Sequence, residues 1–172
     1  MENFKNDFYR ISGIKIIFIG FVKNFLRYHE VRFLYYFRKN NKISKLLLRG
    51  IKKKYGLKIN SNNIGRRLYI GHPYSITINP NAVLGENCNI HKGVTIGQEN
   101  RGKRNGAPII GNSVWIGVNA TIVGNIKIGD NVLIAPNSFV NFDVPSNSIV
   151  IGNPSKIIHN DKATEGYINN KV

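Results

Sequence analysis

Acidic residues are scarce: 9 Asp and Glu stand against 25 Lys and Arg in 172 residues, a formal charge of +16. That imbalance points to an anionic partner, such as nucleic acid, a phosphorylated cofactor or a membrane surface. Cys88 is the single cysteine, which excludes an intramolecular disulfide framework and fits a reducing compartment. Long apolar runs are missing as well. The longest in the first third, Ile16 to Val22, has seven residues, whereas a spanning helix needs about 20. No small-residue cleavage site follows it before basic residues resume at Lys23, so it does not read as a secretory signal. What remains is 42 % hydrophobic and 20 % charged, a composition that folds, in a chain long enough to bury a core as one compact domain.

The charge is uneven. Residues 1–54 hold 14 of the Lys and Arg and three acids (Glu2, Asp7, Glu30), a net +11, and the remainder carries +5. In this basic third, apolar residues recur every three to four positions: Ile14, Ile17, Phe18, Phe21, Val22, Phe25 and Leu26, then Val31, Leu34 and Tyr35, then Ile43, Leu46, Leu47 and Ile51. With breaks at Gly13, Asn40-Asn41 and Gly56, the pattern predicts three or four short helices ending near Lys54. Such helices suit a cap on the open end of the following domain, or a membrane-surface contact through residues 1–54. Charge alone is a poor argument for nucleic acid, and no nucleic-acid-binding motif accompanies it.

From Ile64 the period becomes six. Aliphatic residues fall at Ile64, Ile70 and Ile76; after a two-residue slip at Leu84, Ile90 and Ile96; then at Ile110, Ile116, Ile122, Ile128, Ile134 and Val140. Gly follows seven of them, and small or β-branched residues sit four places on, as at Ala120 and Ser138. Six residues is too long for an alternating strand and wrong for a helix. It fits a parallel β-helix in which each hexad makes one face and three hexads make one triangular coil. The fold class expected is mainly β: a left-handed parallel β-helix over 57–158, preceded by a basic helical region over 1–56 and followed by a tail over 159–172. Between Ile96 and Ile110 lie 14 residues, two more than two hexads need, so the polar segment 98–107 leaves the coil as a loop. Loops on rigid scaffolds commonly carry function.

Of four histidines, His29 and His159 read as structural or surface residues. His72 and His91 lie in the repeats at outward positions. Two histidines on separate coils fall short of the three protein ligands of a catalytic zinc, so no metal is expected.

Several stretches carry a family resemblance: Gly71-His72-Pro73-Tyr74-Ser75-Ile76-Thr77-Ile78-Asn79, Gly93-Val94-Thr95-Ile96-Gly97, Ile110 to Ala120 with Gly124-Asn125-Ile126, and the closing Gly152-Asn153-Pro154-Ser155-Lys156-Ile157. Together they resemble the core of serine O-acetyltransferases. They are similar above all to the shorter, serine-acetyltransferase-like enzymes of capsular and exopolysaccharide synthesis. The resemblance covers about residues 56–158 and implies acetyl transfer from acetyl-CoA to a hydroxyl. His72 matches the family's catalytic histidine. A hydroxyl is a poor nucleophile at neutral pH, and an imidazole can take its proton during direct attack in a ternary complex. Gly117, Val118, Ala135 and Pro136 match turns that bind the cofactor's pantetheine, through backbone amides except at Pro136, which has no N–H and can offer only its carbonyl or ring, and Lys156 matches a terminal basic residue that meets a CoA phosphate. Trp115 should lie outside the coil, beside that groove or at a subunit contact. The resemblance also implies a homotrimer; the expected location is the cytoplasm, at the inner face of the membrane if residues 1–54 make the surface contact.

Two departures bear on the acceptor. Lys58 stands about where the family carries an acid that orients the histidine. Gly106-Ala107 replaces an Arg-His pair that grips the serine carboxylate. Without that guanidinium, a saccharide becomes the expected acceptor, with His91, Arg101 and Arg104 as candidates to bind it. A serine O-acetyltransferase of cysteine biosynthesis and a non-catalytic β-helical binding module are the alternatives.

Overall fold

The computed structural model describes residues 2–13, 18–39, 41–60 and 62–170; Ile14, Ile16, Ile17 and Asn40 of the readings above lie outside them. Four helices come first: α1 (Glu2–Ser12), α2 (Phe18–Arg27), α3 (His29–Lys39) and α4 (Lys42–Tyr55). The Asn41 side chain accepts from Ser44 N at 2.8 Å and caps the start of α4. Gly56, at φ 65°, ends it in the left-handed conformation.

The inward faces of these helices close one end of the β region. Phe4, Phe8, Val31, Phe33, Leu34 and Phe37 are buried in one cluster with Leu57, Ile59, Ile64 and Leu68. Each large apolar side chain removed from water contributes about 1.5–3 kcal/mol. A polar clamp fixes the angle. Arg38 Nε donates to Asp7 Oδ2 at 2.7 Å, its other nitrogens donate to the Ile64 and Gly65 carbonyls, and Asp7 Oδ1 accepts from Leu68 N at 2.9 Å. One ion pair thereby joins α1, α3 and the first turn of the β region.

Short strands follow: β1 (Tyr69–Gly71), β2 (Thr77–Ile78), β3 (Val83–Leu84), β4 (Asn89–His91), β5 (Thr95–Gly97), β6 (Ile109–Ile110) and β7 (Trp115–Ile116). Then come β8 (Thr121–Val123), β9 (Lys127–Ile128), β10 (Val132–Ile134), β11 (Phe139–Val140), β12 (Ser148–Gly152) and β13 (Ser155–His159). They form three sheets, β1-β4-β7-β10-β12-β13, β2-β5-β8-β11 and β3-β6-β9. All neighbours are parallel except β12 and β13. From β1 to β8 each strand therefore pairs with the strand three later in the chain, which makes a three-sided parallel coil; β10 pairs with β12, because the third face is held there only by the bridge between Ile128 and Val144.

The register explains the hexads. Ile70, Ile90, Ile116, Ile134 and Val150 stack inward on the first face. Ile78, Ile96, Ile122 and Val140 do so on the second. Ile64, Leu84, Ile110, Ile128 and Val144 do so on the third. All are buried. Residues four places on, among them Cys88, Val114 and Ala120, face inward too. Corners take left-handed residues, with Asn87, Asn119, Asn131, Asn137 and Asn147 at φ between 53° and 59°, since asparagine tolerates that region.

Two expectations about spacing need correction. Ile78, not Ile76, pairs with Ile96, so the two extra residues lie before Ile78, inside the turn that holds His72. Ile76 is buried at the corner beside the chain of Val94; Ile76-Thr77-Ile78 offers an aliphatic residue in both phases, and the turn decides between them. The excursion after Ile96 is also larger than two residues. Ile96 on the second face is followed by Ile110 on the third, one hexad step, so eight residues are inserted there.

The chain beyond β13 does not trail away. Ala163, Thr164 and Ile168 are buried. Thr164 Oγ1 donates to Asn131 Oδ1 at 2.7 Å, and Asn89 Nδ2 donates to the Tyr167 carbonyl at 3.0 Å. The tail thus runs back along the outer face of the first sheet to α1, where Asn170 Nδ2 reaches the Arg10 carbonyl. Trp115 is covered by this tail, its ring 5.0 Å from that of Tyr167.

Cys88 is fully buried, and burial pushes its thiol up to about 12. The thiolate is the nucleophile. Native protein should therefore resist iodoacetamide at pH 8 and react fully only in denaturant, which mass spectrometry would read; rapid labelling of folded protein would contradict the packing.

Candidate functional site

One edge of the prism gathers most of the candidate residues. At the corner between the first and second sheets, Gly71 pairs with His91, and the Gly117 amide donates to the Ile134 carbonyl one turn on. The residues after these stack in the same order: His72, Lys92, Val118 and Pro136. Lys156 lies at the foot of this column, on β13, paired with Ile151 of β12. With strands about 4.8 Å apart, His72 and Lys156 stand about 24 Å apart along the edge, five strand spacings.

The two-residue insertion shapes the top of this edge. His72 is exposed, with φ 56°, an uncommon conformation for a residue other than glycine. Tyr74 N donates to the His72 carbonyl at 2.7 Å across Pro73, a three-residue turn. The turn is held from both sides: Gly93 N donates to the Tyr74 carbonyl at 3.0 Å, and Ser75 N donates to the Tyr55 carbonyl at 2.8 Å. The Tyr74 ring packs against His29 and Tyr55 at 5.4 and 5.1 Å. The helical region therefore braces the His72 turn, and His29 serves that purpose. Among the described residues no hydrogen bond reaches the His72 ring.

His91 lies one strand below, half-buried between Trp115 at 4.8 Å and Tyr69 at 6.2 Å. Its ring covers Gly71, where a Cβ would lie 2.5 Å from His91 Nδ1, so any side chain there would displace the ring. Burial lowers the His91 pKa from its ordinary 6.5, and the neighbouring His72 lowers it further. His91 Nε2 is buried with no partner among the described residues. It borders a cavity of about 250 Å³ that Arg10, Asn89, Trp115 and Tyr167 also line. Because folding depresses this pKa, the unfolded chain binds the proton more readily, and stability from this site is lost as pH falls below 6.5. The ring resonances of His91 should titrate below 6.5, and His72→Asn should raise their midpoint; an unchanged midpoint would show the two rings are uncoupled.

Other candidates are placed differently from expectation. Arg101 and Arg104 do not join His91 and His72 within one chain. The insertion follows β5, so the loop projects from the next corner, between the second and third sheets, where Asn125 N donates to the Arg104 carbonyl at 2.9 Å. Arg104 is also engaged, its Nε 3.1 Å from Glu99 Oε1. The amides of Gly117 and Ala135 donate to the Ile134 and Val150 carbonyls of the next turn, so they are not free for a pantetheine. Val118 and Pro136 remain at the surface of the edge. Lys92 was missed by sequence reasoning, although its place one residue after His91 puts it under His72. Among the described residues no three of His, Cys, Asp and Glu come together as a metal site.

A six-residue repeat wound into a three-sided coil is the frame on which this edge is built, and known proteins share that pattern. Residues 107–141 match the family described as bacterial transferase hexapeptide (six repeats). The serine acetyltransferase of Staphylococcus aureus (strain COL) is 43 % identical over 105 residues, which are 60 % of this chain and 48 % of that protein. The chain thus spans about half the length of the curated relatives it matches. A crystal structure of Neisseria gonorrhoeae serine acetyltransferase in complex with serine is 29 % identical, with a TM-score of 0.65 over 91 % of this chain and 66 % of that one. The soybean serine acetyltransferase apoenzyme is 32 % identical, with a TM-score of 0.59 over 76 % of this chain and 54 % of that one. Over residues 107–141 the chain is similar to the hexapeptide-transferase repeat, and the three proteins named above that it resembles are serine acetyltransferases.

Proposed function

We propose that this protein is an acetyl-CoA-dependent O-acetyltransferase working along the His72–Lys156 edge of a left-handed coil. The observation that carries the reading is the edge itself. An exposed imidazole on a braced turn stands at one end and a lysine at the other, about 24 Å away. That length suits an extended donor with a thioester at one end and phosphates at the other. The hexad period and the serine acetyltransferase neighbours support the hand of the coil. In the reaction, the His72 imidazole takes the proton of an acceptor hydroxyl as its oxygen attacks the thioester carbonyl. The tetrahedral intermediate then expels the CoA thiolate, which receives the proton, and no acyl-enzyme forms. Val118, the ring and carbonyl of Pro136, and Lys156 contact the donor.

The relatives' names, and the serine in the Neisseria gonorrhoeae structure, favour L-serine as acceptor. A saccharide acceptor keeps one specific observation in its favour. Gly106-Ala107-Pro108 presents no cation to a carboxylate, and Arg104 is held by Glu99. A homotrimer suits both readings. Val83 and Ile109 stack in register, exposed, on the third face, and apolar surface of that kind asks for cover. A neighbour's loop 98–107 can then approach the His72 edge. The reduced Cys88 and the acetyl-CoA donor suit the cytoplasm.

CoA release from acetyl-CoA by purified protein, with L-serine and a panel of sugars, tests the reading. Release with serine assigns the amino acid, and release with a sugar alone assigns the saccharide. Absence of release with every acceptor, together with no CoA binding, would leave the protein a non-catalytic module.

A further inference from the structure

The α4 helix has two faces of different character. Ser44 and Leu48 face the core of the cap and are buried. Ile43, Leu46 and Leu47 are 71 %, 68 % and 45 % exposed. At about 100° per residue these three fall within a sector of about 100°, so they form one apolar patch. Lys42, Arg49 and Lys53 border that sector on one side, and Lys54 lies at its end. The sequence holds no Asp or Glu between Glu30 and Glu86. Among the described residues Asp7 pairs with Arg38, Glu30 with His29, and Glu86 with Arg66 and Arg67. Among the described residues no ion pair joins a carboxylate to a cation of α4.

An aliphatic patch framed by uncompensated cations selects its partner by charge. A second copy would set two strongly basic surfaces against each other. Nucleic acid would satisfy the cations but offers nothing to three exposed aliphatic side chains. An anionic bilayer answers both, with phosphate headgroups for the lysines and acyl chains for the patch. No helix among the described residues is long and apolar enough to cross a membrane, so the contact lies in the interface plane. We propose that the outer face of α4 docks on an anionic lipid surface, with Ile43, Leu46 and Leu47 at the headgroup–acyl boundary. This inference does not depend on acetyl transfer.

Co-sedimentation of the full chain with lipid vesicles tests it. Binding is expected to vesicles of phosphatidylcholine mixed with phosphatidylglycerol, not to phosphatidylcholine alone, and should weaken as salt is raised. Ile43→Ala/Leu46→Ala/Leu47→Ala keeps a strong helix former at each position and should lower partitioning about tenfold or more. Lys42→Glu/Lys53→Glu should do the same by charge reversal, about thirtyfold or more. Circular dichroism of both variants should match that of the parent. Absence of vesicle binding by the parent, or equal binding by parent and folded variants, would overturn the proposal. So would a change in oligomeric mass of the alanine variant without a change in partitioning, which would assign the face to a second copy.

Discussion

Replacing His72 with asparagine should lower kcat/KM for CoA release by about 10²–10⁴-fold, the range of a lost general acid–base group. Asparagine is the cleaner choice over alanine. His72 sits at φ 56°, which asparagine tolerates better than alanine, and asparagine has no nitrogen that can accept a proton at neutral pH. The KM for acetyl-CoA should change little if, as proposed, Val118, Pro136 and Lys156 hold the donor further along the edge. The melting temperature should stay close to that of the parent, since the ring is exposed and has no hydrogen bond among the described residues. A variant with full activity would remove His72 from the chemistry. A variant that lost donor binding as well would mean that the turn, not the imidazole, is what matters.

Arg38→Met should destabilise the protein by about 3–5 kcal/mol, the cost of leaving a buried partner charge unpaired. Asp7 is completely buried and the Arg38 side chain is 5 % exposed. Burial raises the Asp7 pKa despite the guanidinium beside it, so the pair's value lies in positioning as much as in net attraction. The sign of its pH dependence follows. A carboxyl whose folded pKa is raised binds its proton more readily when folded, so its contribution to stability falls as pH rises through the folded value. Without Arg38 that value rises further. The deficit of Arg38→Met should therefore be smaller at pH 5 than at pH 8 in urea unfolding. A deficit independent of pH would show that lost packing and the lost bonds to the Ile64 and Gly65 carbonyls carry the effect instead.

Much of the fold was legible because two short periods dominate the sequence. The step from a three-to-four-residue to a six-residue period between Ile51 and Ile64 marks the change from helices to coil, and Gly56 caps α4 where the pattern ends. The insertions were harder to place. Ile76 and Ile78 both satisfy an aliphatic-position rule, and only strand pairing shows which one stacks. The loop 98–107 was recognisable as a loop, but not which prism corner it leaves, because that depends on counting faces rather than residues. His72 was found through its motif, whereas the tyrosine and histidine packing that braces its turn joins residues 29, 55 and 74 and has no local signature. The same holds for the tail. Nothing in 159–170 announces that Tyr167 lies on Trp115 or that Asn89 bonds across to it.

Hydrogen exchange with and without CoA decides most directly whether the His72–Lys156 edge is the donor groove. At saturating CoA, slower exchange is expected in the peptides covering 71–75, 92–94, 117–119, 135–138 and 151–156, with the rest of the coil unaffected. Protection confined to the cleft lined by Lys45, Arg49 and Lys52, or no protection anywhere, would contradict it.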